Sequence, residues 1–149
     1  MVIWHEHYIQ AGDPATTGDE LATLADHELH EVRRRVGENH QTPSEVLQKL
    51  ASDEHPEVRA AVGENHMTPQ EVLEQLACDE HLDVRYSLAE NCNLPLAILS
   101  RLAEDENPYV SHRARRTMRM VKPETVPELR PRPYEQGGDS YTMRDIKFR

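Results

Sequence analysis

The sequence predicts an all-helical chain made of repeated two-helix units, stacked so that neighbours share one core. Three observations carry this. The stretch VGENHQTPSEVLQKLASDEHPEVRA, from Val36 to Ala60, returns almost verbatim as VGENHMTPQEVLEQLACDEHLDVRY from Val62 to Tyr86, an offset of 26 residues. Apolar residues keep that register: Leu21, Leu47, Leu73 and Leu99 form one row, Leu24, Leu50, Leu76 and Leu102 a second, and Val32, Val58, Val84 and Val110 a third. The composition is lean for one round core, with 37% hydrophobic residues and seven aromatic ones among 149. It suits a stack of small helices filled by Leu, Val and Ala, in which each unit packs only on its neighbours.

The period marks three full units, at about 24–49, 50–75 and 76–101. Half a unit precedes them and a partial one follows, so residues 13–118 form the repeat body. Residues 1–12 are an N-terminal capping segment and 119–149 a Pro-rich tail. The first helix of a unit opens on a capping box. Thr42 can cap the amide of Glu45 while Glu45 reaches back, with Pro43 at the first helical position. Thr68, Pro69 and Glu71 repeat the device, Thr16 and Asp19 give a weaker form, and Asn93 is left to cap the third unit. Val46, Leu47, Leu50 and Ala51 then share one face.

The second helix spans roughly Pro56 to Val62, with Val58, Ala61 and Val62 as its apolar side. Two turns are not stable alone, so its neighbours must hold it. Gly63 or Asn65 is expected to end it, since both tolerate left-handed backbone. After Val121, prolines 123, 127, 131 and 133 and the pair Gly137-Gly138 stop any helix and predict an extended or disordered tail. Tyr141, Met143, Ile146 and Phe148 near its end read either as a short docking motif or as an unstructured terminus.

Charge is lopsided. Residues 1–112 carry 7 Lys and Arg against 22 Asp and Glu, whereas residues 113–149 carry 10 against 5. An acidic body repels phosphate backbones and attracts basic segments. Two cysteines, Cys78 and Cys92, are too few for a disulfide scaffold or a four-thiolate cluster and read as reduced thiols. The start, MVIWHEHYIQAGD, lacks a secretory pattern, and no apolar run approaches the ~20 residues of a membrane helix. A cytoplasmic protein with no membrane partner is expected. There is no P-loop, dinucleotide fingerprint, G-x-S-x-G, H-E-x-x-H or C-x-x-C, so no enzyme and no cofactor are expected.

Nine histidines raise a metal or redox reading, ranked third. His40, His66 and Cys92 share one repeat position, and His55 and His81 another. Equivalent positions on packed helices lie ~8–10 Å apart. Zinc needs ligands at ~2.0–2.3 Å, so neighbouring rows are not expected to share an ion. His5 and His7 can pair only in extended backbone.

Leu50, Asp53, Pro56, Val58, Arg59 and Val62 read L-x-x-D-x-x-P-x-V-R-x-x-V, which resembles the HEAT-repeat signature. The 26-residue length and the pattern N-x-x-T-P-x-E-V-L-x-x-L-A-x-D-x-x-x-x-V-R-x-x-V-x-x-N resemble the leucine-rich repeat variant family more closely, over about 13–118. The resemblance implies a right-handed alpha solenoid, an armadillo/HEAT-like superhelix that serves as a binding surface. One type in such families holds an iron–sulfur module on a cysteine cluster, and this sequence lacks that cluster.

The resemblance also implies a structural ladder of Asp53, Asp79 and Asp105 with Arg33, Arg59 and Arg85, departing at His27 and Ser111. The competing reading is an arginine row that grips carboxylates or phosphates. Asn39, Asn65 and Asn91 are expected to satisfy turn amides. Positions that differ between units are the informative ones: Arg34, Ala60, Tyr86 and His112, then Arg35, Ala61, Ser87 and Arg113. The resemblance places them on the concave side, so Arg33, Arg34, Tyr86 and His112 are candidate partner contacts, against simple drift at exposed sites. Arg113, Arg115, Arg116, Arg119 and Lys122 form a basic run. It reads as a polar cap, as a contact to an acidic body, or as a nucleic-acid patch. The function expected is a non-catalytic scaffold for a protein partner, one with a basic segment, and the alternative is nucleic-acid binding.

Overall fold

A computed structural model describes residues 3–121, and all nine of its elements are helices. They are α1 (Ile3–Gly12), α2 (Gly18–Leu24), α3 (His30–Glu38), α4 (Ser44–Leu50), α5 (Pro56–Glu64), α6 (Gln70–Leu76), α7 (Leu82–Glu90), α8 (Leu96–Leu102) and α9 (Pro108–Val121). Helix α9 carries three residues that the sequence assigned to the tail. Lys122 and the motif at Tyr141–Phe148 lie outside the described residues.

The most extensive contacts join odd-numbered helices in series, α1 to α3, α3 to α5, α5 to α7 and α7 to α9. Each even-numbered helix packs on the odd helices before and after it. One apolar cluster runs through the whole set, from Ala11 to Met118. The three rows of Leu and Val read from the sequence are all buried in it.

Close approach is set by one position. A Cβ on Gly37 would stand 3.3 Å from that of Ala61, and one on Gly63 would collide with Leu88 Cδ1. The same position holds Ala89 in α7 and Arg115 in α9. Small residues at this position let the next odd helix sit down closely.

The helix starts correct the sequence reading. Pro43, Pro69 and Pro95 are the N-cap residues, and none of α4, α6 and α8 has a side-chain cap. Thr16, Thr42 and Thr68 instead donate their hydroxyls, at 2.6 Å each, to Gln10, Val36 and Val62 oxygens at the preceding helix end. Each of those carbonyls already accepts one backbone amide, from Asp13, Asn39 and Asn65, and the buried hydroxyl finds its own acceptor by adding a second bond there. Leu94 fills this position in the third unit, and Asn93 does not cap. The true capping box is Thr17 with Glu20, one residue later than expected.

The helix ends differ too. No described residue has a positive φ. Helices α3, α5 and α7 stop at Asn39, Asn65 and Asn91 in extended backbone. Each asparagine Oδ1 accepts the amide two residues on, at 2.9 Å, so no left-handed residue is needed. The Nδ2 groups reach into the preceding unit: Asn39 donates to Ala11 and Asp13 oxygens, Asn65 to those of Gly37 and Asn39, and Asn91 to that of Gly63. Thr117 takes over in α9 and donates to Ala89 O at 2.6 Å.

Candidate partner-binding face and the ladder beneath it

Under the N-terminal ends of the odd helices lies a row of ion pairs. Arg33 meets Asp53 at 2.6 and 3.0 Å, Arg59 meets Asp79 at 2.7 and 2.9 Å, and Arg85 meets Asp105 at 2.7 and 3.2 Å. These are two-pronged, charge-assisted contacts. Each remaining Nη1 turns back onto a loop carbonyl, of His27, Asp53 and Asp79 respectively. Each carboxylate also accepts an amide, from His55, His81 and Asn107. Burial raises the three carboxyl pKa values, but the guanidinium and amide hydrogen bonds outweigh it, and the net shift is downward. The same bonds raise the three arginines.

This geometry corrects one candidate. Arg33 is only 8% exposed and its donors face Asp53, His55 and loop carbonyls, so it belongs to the ladder and not to the outer face. The ladder's ends are also informative. The positions 26 residues before Arg33 and Asp53 are His7 and His27, and these meet at 3.1 Å, Nδ1 to Nε2. Sequence reasoning noted His27 as a departure but missed His7 as its partner; the 26-residue offset from Arg33 was the available signal. At the other end Ser111 bonds back to Asn107 O, just ahead of its own helix.

Above the ladder lie the positions that vary between units. Arg34 lines an apolar groove of about 700 Å³ with Trp4, His5, Tyr8, Leu29 and Glu31. Trp4 is 47% exposed there. Tyr86 and His112 line a second groove, of about 1060 Å³, together with Tyr109. Arg113, Arg115 and Arg116 reach the same groove, whose wall also carries Glu104 and Glu106. The structure thus brings Tyr86 and His112 together with most of the basic run. Arg119 is exposed but does not line the groove. Arg113 is tied to Glu90 at 3.1 Å, repeating the Ser87–Glu64 contact one unit earlier. Arg34 and Arg35 both lean toward Glu38. Half-buried Ala60 holds the equivalent position between the two grooves.

Histidine side chains come closer than helix spacing suggested. The rings of His40 and His66 are 4.5 Å apart, and those of His30 and His55 stack at 4.2 Å. His40 and His66 are exposed and lean toward each other, which backbone spacing does not register. Among the described residues no group of three or more His, Cys, Asp or Glu is placed to hold a metal ion. Cys78 and Cys92 are free and exposed. No described helix is long and apolar enough to cross a membrane. Comparison with family models, with curated proteins and with solved structures gave no match to the chain.

Proposed function

We propose that this chain is a right-handed alpha solenoid of 26-residue two-helix repeats, of the leucine-rich repeat variant or HEAT-like kind. Its work is to bind another protein in the cytoplasm, without catalysis or a cofactor. One observation carries the reading. The shared Leu and Val rows are buried in the core and the shared Arg and Asp in the ladder, whereas the unshared Arg34, Tyr86 and His112 line open grooves. Tyr, Trp and Arg supply large contact area and are common anchors of protein interfaces. The acidic body steers a partner with a basic segment toward these grooves.

Nucleic-acid binding is the second reading, favoured by Arg115 and Arg116 beside Tyr86 and Tyr109 in one groove. Two observations weigh against it: Arg113 is neutralised by Glu90, and Glu104 and Glu106 would face the phosphates. Capture from native lysate separates the two. The purified chain is expected to retain a discrete protein after nuclease treatment, and Tyr86→Ala with Trp4→Ala to release it. Recovery that vanishes with nuclease would instead move the working site to Arg115, Arg116 and Arg119.

A further inference from the structure

We propose that the His7–His27 rung is a pH-sensitive latch that holds α1, and with it the Trp4 groove, against the rest of the chain. Every other rung of this ladder is a guanidinium on a carboxylate and keeps its charges across the physiological range. The first rung replaces both partners by imidazoles, whose charge changes between about pH 5 and pH 8.

The hydrogen bonds fix how the rung is made. Leu29 N–H donates to His27 Nδ1 at 3.1 Å, as His55 N–H donates to Asp53. His27 Nδ1 is therefore an acceptor, its proton sits on Nε2, and that proton is donated to His7 Nδ1. The rung and the Leu29 contact exist together only while both rings are neutral. A proton added to His7 Nδ1 faces the His27 Nε2–H, and one added to His27 Nδ1 faces the Leu29 N–H. Sharing a single proton between the rings gives up the Leu29 contact, because it requires the His27 hydrogen on Nδ1.

The surroundings do not rescue the charged form. Among the described residues no carboxylate forms an ion pair with either ring. On α1 the titratable neighbours in sequence are His5, Glu6 and Tyr8, and on the loop they are Asp26 and Glu28. Asp26 is held by Lys49. From α2, Glu20 reaches Gln10. From α3, the guanidinium of Arg33 lies 2.9 Å from His27 O with its charge offset by Asp53 at 2.6 Å, while His30 and Glu31 meet each other at 3.5 Å. Trp4, His5 and Tyr8 form the α1 wall of the apolar groove, and Leu29, Glu31 and Arg34 form the α3 wall. Asn39 still holds the far end of α1 through the Ala11 and Asp13 oxygens, so losing the rung frees the Trp4 end and opens those walls there, and acid regulates the face read above as the binding surface. That consequence rests on the proposed function; the latch itself does not, and it is tested without a partner.

Trp4 is the single tryptophan of the chain and reports on α1 directly. His5 lies edge-on to it at 5.5 Å and would quench it when charged, so every sample carries His5→Gln. From about pH 8 to about pH 5, Trp4 emission is expected to shift reversibly to the red and open to acrylamide, with little loss of helical signal. His7→Arg with His27→Asp rebuilds the common rung and is expected to abolish the shift. Should that pair fail to fold, His27→Asn keeps the Leu29 contact and a donor to His7, and is expected to weaken the shift. Emission that stays flat across the range, or a transition unchanged in these variants, overturns the latch.

Discussion

Replacing Arg59 by alanine is expected to cost about 3–5 kcal/mol of stability, because it strands a nearly buried carboxylate. Arg59 and Asp79 have side chains 10% and 9% exposed. The lost guanidinium also served Asp53 O and Glu54 O, which bind no other side chain in its place. The surface pair Lys49–Asp26 provides the contrast, with side chains 53% and 69% exposed. Lys49→Ala is expected to cost no more than about 1 kcal/mol, since solvent screens it and its entropy cost is high. Urea unfolding followed by circular dichroism measures both. Because Arg59 is the middle rung, the transition of Arg59→Ala should also broaden, as the two halves lose their coupling. Equal costs for the two variants would mean that the ladder does not hold the units together.

Acid is expected to undo the same ladder. Asp53, Asp79 and Asp105 bind protons less readily in the folded chain than in the unfolded one. The unfolded state therefore takes up more protons as pH falls through the ordinary carboxylate range near ~3.9. The stabilisation is complete above that range and is lost as pH drops through it toward the lower, folded values. The three rungs titrate over one window, so their losses add. Neutralising the other acids of this net −10 chain relieves repulsion and works the other way. That opposing effect is screened by salt, whereas the buried rungs are shielded from it. Urea midpoints measured from about pH 6 to about pH 2 in moderate salt should therefore fall, and less steeply in Asp79→Asn. A midpoint that holds steady, or a slope unchanged in Asp79→Asn, would contradict the ladder's ionic character.

Much of the all-helical architecture was legible because one physical demand, burial of a Leu/Val stripe, recurs every 26 residues and leaves a period. What stayed hidden was direction. A Thr-Pro-x-Glu string reads as a capping box whether the hydroxyl faces its own helix or the preceding one. Only packing shows that Thr42 and Thr68 point backward. The asparagines were read as turn residues, but their amide nitrogens reach carbonyls 26 and 28 residues away, and no local pattern carries that. Arg33 entered the candidate face because the resemblance placed its whole helix on the concave side. A helix turns by about 100° per residue, which separates a buried rung from an open groove. His7 was missed because α1 carries none of the Leu and Val rows, so the period was not extended back to it.

The claim that the varied positions form a protein-binding face is tested most directly from Ala60, between the two grooves. A photo-crosslinking phenylalanine derivative there stands where Tyr86 and His112 stand in later units. The same residue at exposed Gln48, on α4, serves as the comparison. In nuclease-treated native lysate, the reading expects a discrete protein adduct from position 60 and none from position 48. Adducts of equal pattern from both positions, or an adduct at 60 that nuclease removes, would contradict it.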